Sequence, residues 1–279
     1  MTSITFRTNA LIFSFALPTL ILAQDFEPGY IDPEPILAAA SAAIGEDRLS
    51  CISISGSAYT GMVGQQYINA YEVDWPRGKP LRNYNRLIDW ENVRMIETFD
   101  REPGNNPASW KYGLGWDSGM PVQKNEHQIF SLNGTHAWYQ DGVDGLPVAA
   151  QPVDAERWQL DMWLTPHGFL KAARLPGANP LATWRWELGE MGRDGATVSL
   201  EKVTIVSITL MGKYRVDATI NSQNLLQRIH TWVPDPVLGD ANYEHEFANS
   251  DYVDIGNGIK FPTVWHHHTG WDDNYQAQS

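Results

Sequence analysis

Cysteine is nearly absent from this chain. Cys51 is the only one in 279 residues, which excludes an internal disulfide framework. A lone thiol of this kind is expected to be buried and inert. Basic residues are also scarce: 20 Lys and Arg stand against 33 Asp and Glu, for a formal charge of −13. That balance argues against nucleic acid and against anionic lipid as partners, and its plain meaning is solubility. Catalytic signatures are missing too. There is no Gly-x-Ser-x-Gly elbow, so a serine hydrolase is unsupported, and no dinucleotide or phosphate-loop glycine pattern. The apolar run at 10–23 (ALIFSFALPTLILA) is too short and too early for a typical transmembrane helix, and Pro18 would break one.

That run, preceded by Arg7 alone among charged residues, reads as a secretory signal over 1–23 with cleavage after Ala23. Export to the periplasm or the extracellular space follows as an expectation, with no stable membrane span after cleavage. No cysteine follows closely enough to carry a lipid. Residues 24–279 are then long enough for one β-rich domain with a substantial core, and at 43% hydrophobic residues disorder is not the default.

Periodicity sets the fold class. Residues 33–44 (PEPILAAASAAI) have the acidic, proline-bearing start and following Gly45 of a helix. From Leu49 the apolar period becomes two, with strands expected at 50–59, 65–75, 81–89 and 93–100. Residues 102–122, rich in Pro, Gly, Asn and Trp, read as a long loop of the lid or binding kind. Strands at 126–132 and 135–140 flank Asn133-Gly134, a strong hairpin signal. Asn133-Gly-Thr135 is also a glycosylation sequon, relevant only in a eukaryotic source. A helix is expected at 154–163 with Asp154 as its cap, a break at Pro166, and a helical continuation over 167–174. Strands return at 183–190, 197–201 and 204–211.

The most informative stretch is 213–263. Two long β runs flank Asn221-Ser-Gln-Asn224, a Pro/Gly corner follows, and a further strand pair hinges on Gly256-Asn257-Gly258. This is a meander of antiparallel strands. The whole describes an α+β domain, a large curved antiparallel β-sheet with a few helices covering one face.

Several segments carry a family likeness: WLTPHGFLKAA at 163–173, the stretch 213–240 with its TINSQN turn, SDYVD at 250–254, and GIKFP at 258–262. Together they resemble the N-terminal accessory region of exported hydrolases of the metallo-β-lactamase superfamily. The likeness spans about residues 35–270 and is strongest after 155. That region is itself similar to the lipoprotein-carrier (LolA-like) half-barrel. The resemblance implies a curved sheet lined with apolar side chains and covered by helices, followed in the family by an αββα zinc domain. That domain needs a His-x-His-x-Asp-His cluster. The nearest stretch here is WHHHTGWD at 265–272, with Gly270 where the Asp would stand and Trp271 where the next His would. The chain thus looks like the accessory region without its catalytic domain. No cofactor is expected, with zinc entering only if a catalytic domain follows.

No catalytic residue is assigned from the sequence. On a strand, His266 and His268 share one face and His267 takes the other. The pair is a weak metal candidate, because two imidazoles alone fall short of the ligand count of a tight site. His167, beside Pro166 and Gly168, reads first as a structural histidine near a carbonyl freed by the proline, and second as a groove residue. Glu244 and Glu246 read as the acidic outer face of a strand whose other face is Tyr243, His245 and Phe247. The aromatic load is the better clue: the chain has 12 Trp and 11 Tyr, with Trp184 and Trp186 on one face of a strand. The expected ligand-binding set is Trp184, Trp186, Trp163, Trp158 and His167, closed by helices over 154–174. The expected function is an exported, non-catalytic accessory or binding domain. Its partner would be an apolar small molecule, a lipid, or an adjacent hydrolase domain, with no nucleic acid. The alternative is the N-terminal part of a zinc hydrolase whose catalytic domain lies beyond this chain.

Overall fold

The computed structural model describes residues 29–59, 80–101, 125–140, 147–188, 200–235, 239–247 and 251–270. Expected features at 1–23, 65–75 and 102–122 lie outside them. Two six-stranded antiparallel meanders dominate. The first runs in chain order through β1 (Cys51–Tyr59), β2 (Pro80–Asp89), β3 (Arg94–Arg101), β4 (Glu126–Asn133), β5 (His136–Gln140) and β6 (Val148–Ala149). The second is built from β7 (Leu181–Leu188), β8 (Leu200–Leu210), β9 (Tyr214–Ile220), β10 (Leu226–Asp235) and β11 (Gly239–Glu246). Its far edge is β14 (His266–Gly270), in the order β14-β11-β10-β9-β8-β7. A separate hairpin joins β12 (Tyr252–Gly256) to β13 (Ile259–Pro262). The class is α+β, as the sequence indicates, and antiparallel sheets of this width fit a curved half-barrel rather than a closed barrel.

Among the described residues three helices supply the second layer: α1 (Pro33–Ile44), α2 (Pro152–Trp163) and α3 (Pro166–Ala172), with a 3₁₀ turn at Glu46–Arg48 after α1. In α1 the Asp32 side chain accepts a hydrogen bond from the Glu34 amide at 3.0 Å, and Pro33 occupies the first turn, where its missing N–H is harmless. Gly45 ends the helix at φ 68°. A Cβ there would lie 2.7 Å from the Gly258 carbonyl, so both conformation and space require glycine.

The WLTPHG stretch is a tight joint between α2 and α3. The Thr165 hydroxyl donates to the Met162 carbonyl at 2.9 Å and accepts from the Gly168 amide at 3.2 Å. One side chain thus satisfies the end of α2 and the start of α3. Pro166 starts α3 instead of interrupting one longer helix. A Cβ on Gly168 would sit 2.6 Å from Thr165 Oγ1 and 2.7 Å from the Met162 carbonyl oxygen, which fixes glycine by close approach.

Rows of side chains across the sheets explain the core. Ile52, Ile88, Met95, Leu132 and Ala137 are successive register partners across β1–β5. In the second sheet Ala182, Val206, Ala218, Ile229, His245 and His267 form one row across all six strands. The apolar members of both rows, except partly buried Ile52, are buried in a single cluster shared with the helices. Helix α2 packs on β4 and β5, and α3 on β10. No helix among the described residues is long and apolar enough to cross a membrane.

Some local expectations change. Asp154 lies in the first turn of α2, and Gln151 is its cap, without a side-chain hydrogen bond. Residues 200–210 form one strand rather than two, because the ladder with β7 runs without a break from Leu200 to Ser207, and β9 takes up the pairing on the other side from Thr204. Cys51 is exposed, not buried: alternation along β1 turns Ile52 and Ile54 inward and Cys51 outward. Glu244 is buried at 5% exposure, so the far face of β11 is not a solvated acidic face there.

Candidate functional site

A polar cluster sits where α2 meets the inner faces of both sheets. Its centre is Asp161, in the last turn of α2. From the first sheet comes Arg86 on β2, two residues along the strand from the core residue Ile88. Its side chain is 3% exposed and its guanidinium pairs with Asp161 Oδ2. A buried guanidinium has to be matched by anions and acceptors. Glu97 stands opposite it in the β2–β3 register and accepts the Tyr84 hydroxyl at 2.5 Å. Burial works against the Arg86 charge, and Glu97, Tyr84 and Tyr243 hold it charged. The Tyr84 phenol is pushed above its ordinary range, first by burial.

From the second sheet come Tyr243 and His245 on β11 and His267 on β14. The Tyr243 hydroxyl donates to Asp161 Oδ1 at 3.1 Å, and His245 Nε2 lies 3.1 Å from the same oxygen. His245 is 1% exposed and Tyr243 3%, whereas His267, on the sheet edge, is exposed. The rings of His245 and His267 are 4.7 Å apart, and the Arg157 guanidinium lies 5.3 Å from the Tyr243 ring centre. One atom each from Asp161, His245 and His267 falls within 4.8 Å of the others. Two imidazoles and a carboxylate are thus gathered in one place, with His245 and Asp161 largely shielded from water and the His267 ring exposed.

The expected ligand-binding residues divide into two sets. Trp184 and Trp186 share the face of β7 that carries the buried Ala182, yet they are 44% and 60% exposed. Lys202 Nζ stands 4.4 Å over the Trp184 ring. Trp163 and His167 are instead core residues, 6% and 0% exposed. His167 is stacked between Trp90 at 6.0 Å and Phe261 at 5.5 Å. Burial drives its pKa down to about 4 from 6.5, the Ile44 carbonyl opposing that shift. Neither of its ring nitrogens has a hydrogen bond of regular geometry. Trp158 is half-buried, edge-on to Phe130 at 5.1 Å. The structure therefore brings Trp184 and Trp186 together and leaves Trp158, Trp163 and His167 in or against the packed interior.

His266 and His268 are register partners of Glu246 and Glu244, at the strand positions that alternate with His267. The histidine that joins the inner cluster is the middle one of the three. Sequence reasoning misses Asp161 and Arg86, and it sets Tyr243 and His245 aside together as one side of an alternating strand. The only usable signal would have been the pairing of β11 with β14, which puts His245 opposite His267.

The fold and site define a two-meander antiparallel α+β protein with an aromatic pair at one edge of a sheet and a His/carboxylate cluster at the other. No protein-family model, curated protein or solved structure matches the chain.

Proposed function

We propose that this chain is an exported binding module that holds an apolar ligand on the inner face of its second sheet. The observation that carries the reading is the Trp184–Trp186 pair. Most large aromatics on a core-bearing sheet face are buried, because fully covering one is worth about 1.5–3 kcal/mol. Here the row beginning at Ala182 is covered, and the next two inward positions on β7 leave two indole rings in water. An exposed aromatic pair continuous with a core face is what an apolar ligand needs. The Lys202 ammonium over Trp184 adds a cation at the same place, suited to a chain ending in a carboxylate or other anion. The acyl chain of a fatty acid or lipid has that chemistry. The signal-like run at 1–23 and the half-barrel likeness support export and ligand holding. Under the same likeness the competing occupant of this face is a hydrolase domain on the same polypeptide.

A fluorescent fatty acid titrated into the purified protein tests the reading. Binding should shift Trp emission and raise thermal stability, and Trp184→Ala and Trp186→Ala should each weaken it while leaving the protein folded, since both rings are exposed. Folded variants with unchanged affinity would remove the support. Absence of any fatty-acid binding, with an appended zinc domain shielding Trp184 from quenchers, would favour the hydrolase-domain occupant.

A further inference from the structure

We propose that Asp161, His245 and His267 form a site for a single divalent transition ion, with zinc as the best fit. The three come from α2, β11 and the edge strand β14, and their ligand atoms lie within 4.8 Å of one another. Two imidazoles and one carboxylate suit zinc and its first-row neighbours. In a tetrahedral zinc site, ligand atoms stand about 3.3 Å apart. His245 Nε2 and Asp161 Oδ1 are already at 3.1 Å. The remaining closure, roughly 1.5 Å given that spacing, falls to His267, whose exposed side chain on an edge strand is the most able to turn.

The surroundings are those of a supported ligand set. Asp161 is held on its other oxygen by Arg86, and the Tyr243 hydroxyl hydrogen-bonds the oxygen that would face the ion. Such outer contacts orient metal ligands. The positive charge of Arg86 opposes a cation. That selects ions which bind imidazole strongly over Mg²⁺ or Ca²⁺, which want several oxygens. With three protein ligands, the fourth position is left for water on the His267 side, the arrangement of an open rather than a closed zinc site. The triple-histidine segment then has a divided role: His267 points to the ion, while His266, the neighbouring position on the strand, alternates to the other face of β14.

The test uses the full chain, stripped with chelator and titrated with Zn²⁺ by calorimetry, with Co²⁺ as a spectroscopic probe. One ion per chain is expected, together with a rise of several degrees in melting temperature that chelator reverses, and a visible Co²⁺ band of low coordination number. His267→Ala, at an exposed position that leaves the fold intact, should weaken binding by about tenfold or more. His266→Ala should leave it unchanged. Failure to bind Zn²⁺ at one equivalent overturns the proposal. So does equal affinity in His267→Ala, or a loss in His266→Ala as large as that in His267→Ala.

Discussion

Two carboxylates drawn out of water show how differently this molecule treats buried charge. Glu46, in the 3₁₀ turn after α1, has a side chain only 3% exposed. It receives the Ser41 hydroxyl at 2.8 Å, Lys171 Nζ at 3.0 Å and the Arg174 guanidinium. Burial alone would raise its pKa; the Ser41 and Lys171 hydrogen bonds and the charges of Lys171 and Arg174 outweigh burial and hold it below the ordinary carboxylate value. Every donor comes from the helical layer, and the cluster is closed. Asp161 is 15% exposed, and its partners come from two different sheets. One edge of its cluster ends on the exposed His267. A saturated carboxylate fastens elements together. A carboxylate sharing its space with two imidazoles, one of them exposed, has chemistry left to offer.

The sharpest way to break the closed cluster is Glu46→Ala. It removes three donors' common acceptor and leaves the mostly buried Lys171 without its anion, so we expect a loss of about 3–4 kcal/mol in urea unfolding. Arg174, being half exposed, recovers its hydration and keeps the loss from being larger.

The second effect is a pH dependence from the same region. His167 is held near pKa 4 when folded against 6.5 in the open chain, so the unfolded state takes up the proton first. Its contribution is fully present above pH 6.5 and is lost as pH falls from there toward 4. The slope is about 1.4 kcal/mol per pH unit and the total about 3 kcal/mol. Glu46, whose folded pKa is lowered, adds a further loss below its ordinary value of 4.5. His167→Leu should flatten the stability profile between pH 6.5 and 4; an unchanged slope would show that another group sets it.

The smallest effect sharpens the contrast. His267→Ala, at the open cluster, should change unfolding free energy by no more than about 0.5 kcal/mol in metal-free buffer. A loss comparable to that of Glu46→Ala would erase the distinction between the two clusters.

Much of the fold was legible because it rests on local rules. The 33–44 helix was read with its bounds, since Pro33 and Gly45 mark both ends. The turn at 221–224 was read from its asparagines: Asn221 Oδ1 accepts from the Gln223 and Leu225 amides at 2.9 Å each, and Asn224 takes φ 61°. At the joint over 163–168 the break and the second helix are legible, but not that Pro166 itself opens that helix, because the proline's role depends on Thr165, whose hydroxyl serves both helices. The polar cluster was not legible at all. Asp161 looks like any polar residue of an amphipathic helix, Arg86 like an outward position on a strand, and His267 like one member of a run. Only register and the approach of two sheets give them a common address. The Trp184–Trp186 pair is visible in the sequence as a pair, but its exposure is a tertiary fact that alternation along β7 does not carry.

Arg48 has a consequence for the order of assembly. Its guanidinium holds the carbonyls of Asn257 and Gly258, 209 and 210 residues away, at the tip of the β12–β13 hairpin. Closing a loop of that length from an open chain costs about 5 kcal/mol of entropy, far more than one exposed hydrogen-bonded pair returns. The latch therefore shuts only after both meanders have carried the hairpin beside α1. It is a late event in folding, and its energy falls on the rate of unfolding. Local opening at either the hairpin tip or the end of α1 breaks this latch, so one contact registers the loosening of two segments that lie far apart in the chain.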